Sequence, residues 1–229
     1  MRVIVLVLGA SGRTGSYVAS HLFAAEHTVF ALVRDPDSSA GVHRLGRLSH
    51  PSAGPGVQPV VGDLLGGPDR LEEVMRGCDA VVNVAGGTDL DPSGPSVDRE
   101  GAIAAIEAAG KAGVRRFVQV SAMYADRPGQ GPEQIRGLLR AKGDSDTALI
   151  RSGLEWTIIR PGGLSDSVLT GQVRMDRRLD ETGSIPREDV AAIAATCLAW
   201  RASIGLAFDV VAGSTPILEA LSRLTPVTD

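Results

Sequence analysis

Three glycines in the run Gly9-Ala10-Ser11-Gly12-Arg13-Thr14-Gly15 stand three residues apart, directly after the apolar stretch Val3 to Leu8 and directly before a helical periodicity. Glycine has no Cβ, so such a turn lets backbone N–H groups close on an anion, and the positive end of the following helix adds to the attraction. In the order strand, turn, helix, this pattern binds the pyrophosphate of a dinucleotide. Gly9, Ser11, Gly12, Arg13, Thr14 and Gly15 are the residues expected to meet it.

Other strand ends extend the same chemistry. The second apolar run ends Leu32-Val33-Arg34-Asp35. An acidic residue here bonds a ribose 2′-hydroxyl, whereas an arginine accepts a 2′-phosphate. Arg34 comes first, and Arg13 could close on the same phosphate, which favours NADPH over NADH; Asp35 leaves a loop cap or a ribose contact open, and Arg34 as a solvated charge is the plain alternative. Asp63, after the third run, either accepts the exocyclic amine of adenine with Leu64 packed on the ring or caps the helix starting near Pro68. After the fourth run, Asn83-Val84-Ala85-Gly86-Gly87 is small enough to leave room for ribose and pyrophosphate, with Ala85 and Gly86 the expected contacts.

These turns need a scaffold that brings strand ends together. Val- and Ile-rich runs predict strands at 2–8, 28–33, 57–61, 79–84, 115–120 and 155–160, with a later one at 205–211. Helical faces alternate with them: Val18, Leu22 and Ala25; Ala102, Ile103, Ile106 and Ala109; and the candidates 133–152 and 187–200. The predicted fold is α/β, a Rossmann-like doubly wound parallel sheet in a three-layer α/β/α sandwich, one domain over 1–229, with small C-terminal elements on the substrate side. Asp35 to Gly56 reads as a long surface loop, and Ser165 to Thr182 as an irregular substrate wall or lid. The Ala-rich face of helix 98–112 suits a partner as well as its own sheet, so oligomeric state stays open.

Composition narrows the partners. A net charge of −4 without a basic stripe, and few aromatics, argue against nucleic acid. Val3 to Leu8 is far shorter than the roughly 20 residues a membrane helix needs. Cys78 and Cys197 lack metal or disulfide spacing and read as small buried hydrophobes, with no metal site and a reducing cytoplasm expected.

With these motifs in hand, the chain resembles the atypical short-chain dehydrogenase/reductases, in particular the NAD(P)H-binding group that includes biliverdin-IXβ/flavin reductase and NmrA-like proteins. The resemblance is carried by the glycine turn, Val97-Asp98 through Gly101, Arg115 to Ser121, Ser152 to Leu164 and Ile185 to Ala191. It implies that Ser121 sits beside the nicotinamide and orients the acceptor, unless it merely caps a strand end. It implies that Lys142 bonds the nicotinamide ribose, unless it is an ordinary exposed lysine. It also implies that Pro161, Gly162, Gly163 and Leu164 pass under the nicotinamide. One position departs from the wider superfamily: a tyrosine expected four residues before the lysine is Leu138. Tyr124 is then the nearest phenol in sequence, as a proton donor or as a packing residue.

These features point to an NADPH-dependent oxidoreductase that passes hydride to a small organic acceptor such as a flavin, quinone or carbonyl compound. A non-catalytic NADP(H) sensor and an epimerase-like enzyme are the competing expectations.

Overall fold

The computed structural model describes residues 2–35, 56–86 and 96–224, so the loop expected through 36–55 and the residue Gly87 lie outside the described residues. Strand β1 (Ile4–Leu8) shows how the sequence produces a sheet covered on both sides. Alternation sends Val5 and Val7 to one face and Leu6 and Leu8 to the other, and all four are fully buried. The chain continues through β2 (Thr28–Val33), β3 (Gln58–Val61), β4 (Ala80–Asn83), β5 (Arg116–Val120), β6 (Glu155–Pro161), β7 (Gly163–Ser165), β8 (Gln172–Asp176), β9 (Ser184–Pro186), β10 (Leu206–Ala212) and β11 (Thr215–Pro216). The helices are α1 (Arg13–Ala24), α2 (Pro68–Met75), α3 (Ala102–Lys111), α4 (Arg136–Arg151), α5 (Arg187–Ala199) and α6 (Ile217–Leu224).

The main sheet runs β11-β8-β10-β6-β5-β4-β1-β2-β3. Every pair from β3 across to β10 is parallel, while β8 is antiparallel to both β10 and β11. The direction of winding reverses between β1 and β4, and at such a reversal the loops leaving the strand ends diverge and open a crevice. One face of the sheet is covered by α1 through Val18 and Leu22 and by α5 through Val190, Ile193 and Cys197. The other is covered by α2 through Leu71 and Met75, by α3 through Ala105, Ile106 and Ala109, and by α4 through Leu149. Each large side chain buried this way contributes about 1.5–3 kcal/mol. This is the three-layer Rossmann-like fold that the strand pattern predicts.

Each predicted strand begins and ends within two residues of the observed one. Other expectations need correction. Ser165 to Thr182 is not wholly irregular: it contains β8, whose short antiparallel pairing carries too few apolar residues to announce a strand. Helix 98–112 begins as a wide turn over Val97–Gly101, in which the Gly101 N–H reaches the Ser96 carbonyl five residues back (3.1 Å). Its alanine face is not left for a partner, because Ala105, Ala108 and Ala109 are fully buried inside this chain. Ala25 follows the last turn of α1 and is exposed rather than on its buried face. Helix α6 was not foreseen.

Among the described residues no helix is long and apolar enough to cross a membrane. Both cysteines are free and buried, and burial pushes the Cys78 thiol up to about 11 and the Cys197 thiol up to about 12. The thiolate is the reactive form, so an aromatic disulfide reagent at pH 8 should label neither in the native protein and both after denaturation. Rapid labelling of either thiol in folded material would contradict this burial.

Candidate functional site

The glycine turn is built where β1 ends against β4. Gly9 has φ +79°, and a Cβ there would lie 2.7 Å from the Ala85 backbone; a Cβ on Gly15 would collide with the Gly9 carbonyl oxygen. The Gly12 N–H donates to the Gly9 carbonyl (2.9 Å), closing the turn. Helix α1 then starts without a side-chain cap or an acidic residue in its first turn. The N–H groups of Arg13, Thr14 and Gly15 therefore stand at the positive end of the helix with no intrahelical acceptor.

Around this turn lies a cleft of about 420 Å³. Gly9, Ser11 and Gly12 line it from the turn, Leu32 and Arg34 from β2, Asp63 and Leu64 from the end of β3, and Ala85 and Gly86 from the end of β4. Eight of the expected cofactor residues, Gly9, Ser11, Gly12, Arg34, Asp63, Leu64, Ala85 and Gly86, thus share one surface. Asp63 is exposed, and its carboxylate accepts from the Leu65 N–H (3.0 Å), capping the single turn Leu64–Gly66 rather than α2. Leu64 is buried and belongs to the core as much as to the cleft. The Arg13 guanidinium is bound to Asp166 (2.8 Å), which also accepts from Arg187 (2.6 Å), while Arg34 lines the cleft.

Behind the end of β4, Lys142 of α4 forms an ion pair with Asp98 (2.9 Å) and lies 3.5 Å from the Val120 carbonyl oxygen. Both side chains are largely buried, so Lys142 is not an ordinary surface lysine. A Cβ on Gly86 would sit 3.3 Å from the Asp98 carboxylate and 3.8 Å from the Lys142 amine, which puts the pair directly behind the small residues of the β4 end. The wide turn at Val97–Gly101 explains how Asp98 gets there. Ser96 accepts from the Arg99 N–H while Glu100 accepts from the Ser96 N–H (2.8 Å), a reciprocal cap spread over one extra residue.

Ser121 follows β5, one residue beyond the Val120 carbonyl that Lys142 faces. Its hydroxyl caps no backbone group; it is buried by the Asp146 carboxylate without a hydrogen bond of full geometry. Asp146, one helical turn beyond Lys142, accepts from Gln119 (2.9 Å) and from Arg160 (3.0 Å). Burial raises its carboxyl group above the usual range, although Arg160, Gln119 and Ser121 all pull the other way. The polar chain goes on from Arg160 to Asp126 (3.1 Å), from Asp126 to Arg127 (2.7 Å), and from Arg127 to Asp209 (2.7 Å). Burial works to raise Asp126, but Arg160 and Arg127 hold its carboxyl below the ordinary value. Tyr124, at φ +71°, is half-buried with its ring under the Arg127 guanidinium (4.7 Å to the centroid). It makes no hydrogen bond to Ser121 or Lys142 among the described residues.

The segment after β6 is held by its backbone. Pro161 accepts from the Met123 N–H (2.9 Å), Gly162 donates to Val210 (2.9 Å) and Gly163 to Gly183 (2.8 Å). Leu164 is exposed on β7, which pairs with β9. Sequence reasoning missed Asp146, Asp126 and Asp166. Asp146 left a signal, because four residues from Lys142 is the same face of a helix; Asp166 left none.

The glycine turn at the sheet's switch point, the uncapped helix start and the cleft beside them define a Rossmann-like nucleotide-binding protein of the atypical short-chain dehydrogenase/reductase type. The chain belongs to the NAD(P)H-binding family, whose model matches residues 9–200. It is 36% identical to an uncharacterized protein of Bacillus subtilis named sugar epimerase YhfK, over 96% of this chain and 99% of that one. It is 30% identical to a (4-alkanoyl-5-oxo-2,5-dihydrofuran-3-yl)methyl phosphate reductase of Streptomyces griseus, over 90% of this chain and 67% of that protein. A solved structure from Bacillus halodurans, provisionally named an NAD-dependent epimerase/dehydratase, superposes with a TM-score of 0.85 at 35% identity, over 97% of this chain and 100% of that one.

The backbone contacts of the turn generate a binding prediction. Gly15→Ala must displace the Gly9 carbonyl, so calorimetry should show NADPH affinity falling at least tenfold, about 1.4 kcal/mol, while the far-ultraviolet circular dichroism stays native. Undiminished affinity would mean that the turn is not the phosphate cradle.

Proposed function

We propose that the chain is an NADPH-dependent oxidoreductase that reduces a small, largely planar organic acceptor such as a quinone, flavin or conjugated carbonyl compound. The observation that carries this reading is the buried Lys142–Asp98 pair behind the small residues of the β4 end, with the buried Ser121 one residue beyond the Val120 carbonyl that Lys142 faces. A protein that only sensed the nucleotide would need the cradle but no such polar floor. The bound reduced nicotinamide would supply the hydride. The Gly9 to Gly15 turn would hold the pyrophosphate, Lys142 the nicotinamide ribose, and Pro161 to Leu164 the ring.

Leu138 stands where the superfamily's proton-donating phenol is expected, and a hydrocarbon donates no proton. The acceptor's proton would then come from water, with Ser121 orienting the acceptor atom that receives it. Acceptors whose reduced forms equilibrate freely with solvent suit this arrangement better than simple ketones. The epimerase names of two relatives favour a second reading, but the missing phenol removes the usual base for stereochemical inversion.

Mixing the protein with NADPH and a panel of quinones, flavins, enones and sugar nucleotides, and following reduced-nicotinamide absorbance, tests the reading. Consumption with at least one acceptor is expected, and Ser121→Ala should lower kcat about tenfold or more with NADPH affinity unchanged. Tight NADPH binding without turnover across the panel would favour the sensor, and inversion of a sugar without net oxidation would favour the epimerase.

Cofactor choice rests on Arg34, which lines the cleft at the end of β2. A guanidinium suits a 2′-phosphate by charge and by its fork of donors. Arg34→Ala should weaken NADPH about tenfold or more and NADH less than about twofold. Equal losses for both would take Arg34 away from the phosphate.

A further inference from the structure

The carboxylate of Asp166 lies between two guanidiniums, one oxygen on Arg13 (2.8 Å) and the other on Arg187 (2.6 Å). The arginines come from distant places. Arg13 opens α1 at the glycine turn, and Arg187 opens α5 immediately after Pro186. Arg187 is mostly buried, whereas Arg13 and Asp166 are largely exposed. An exposed ion pair is weakly held, so the carboxylate is the part that can leave. The arginines would remain spaced for the two oxygens of one anion.

The chain carrying Asp166 is pinned on both sides of it. Before it, β7 pairs with β9. After it, the N–H groups of Thr170 and Gly171 donate to the buried carboxylate of Asp189 in the first turn of α5 (3.2 and 2.7 Å). Only 166–169 lie between these anchors. The same strap exposes Leu164, Val168 and Leu169, with Val168 81% accessible. Three exposed apolar side chains close to a two-arginine anion site make a surface suited to a molecule with an apolar body and one negative group.

We infer that Arg13 and Arg187 form a recognition site for an anionic substituent, a carboxylate or a phosphate, on an otherwise apolar acceptor, and that Asp166 occupies the site until that acceptor displaces it. The inference rests on the reductase reading for the identity of its ligand as an acceptor. The site itself is read without turnover.

The test is a fluorescence titration of protein saturated with NADP+, using 2-naphthoate, 2-naphthyl phosphate and the neutral methyl 2-naphthoate. Both anions should bind more tightly than the ester, and the tighter of the two names the acceptor's anionic group. Asp166→Ala should tighten the anions several-fold by removing the internal competitor, and Arg187→Gln should weaken them about tenfold, with the ester the same in all three proteins. Should Arg187→Gln fail to fold, Arg13→Gln reads the same site from an exposed position. Equal binding of anions and ester, indifference to both arginine variants, or anion binding that NADP+ abolishes would each overturn the inference. NADPH consumption with neutral 1,4-naphthoquinone, measured on the same samples, reports separately on the reductase reading.

Discussion

The backbone of Gly9 rests against the backbone of Ala85 with no space between them for a side chain, and the site depends on that contact. It joins the ends of β1 and β4 where the sheet's winding reverses, and it aims the first turn of α1 across the gap. Because Gly15 lies closer still to the Gly9 carbonyl, the helix start is held against the strand end. Amides that would otherwise face solvent are fixed around a common point, and an anion bound there meets donors that need no rearrangement.

Behind this cradle the protein keeps charge in its interior, which is costly unless each charge has a partner. Lys142 has Asp98, Arg160 has both Asp146 and Asp126, and Arg127 has both Asp126 and Asp209. The pairs link α4 to the turn before α3, β6 to α4, and the loop after β5 to β10. They therefore fix the relative positions of the elements that converge on Ser121. Asp146 is almost fully enclosed, and its raised carboxyl and the depressed Asp126 carboxyl share one arginine in different surroundings. The asymmetry follows from burial: Asp146 has lost almost all contact with water, while Asp126 keeps some.

The strap after β6 is organised differently. Its outer contacts are ion pairs of the exposed Asp166 and its apolar side chains face solvent, whereas its anchors are the β7–β9 pairing and the Thr170 and Gly171 N–H groups held by the buried Asp189 carboxylate.

What the sequence by itself determined was local. The glycine spacing, the near-continuous apolar runs of Val and Ile and the helical faces each express a conformation set by neighbours a few residues apart, so the strands, the glycine turn and the family were legible. So was the absence of a phenol at Leu138. The short strands β8, β9 and β11 were not, because pairing partners far along the chain hold them rather than their own periodicity. Tertiary structure alone decided which charges meet. Asp98 reaches Lys142 only because a widened helix start turns it inward, and Arg13 reaches Asp166 across a separation of 153 residues. No local pattern encodes such pairs. They arise from the crossovers that bring strand ends to one edge of the sheet, and from the cost of leaving a buried charge alone once they are there.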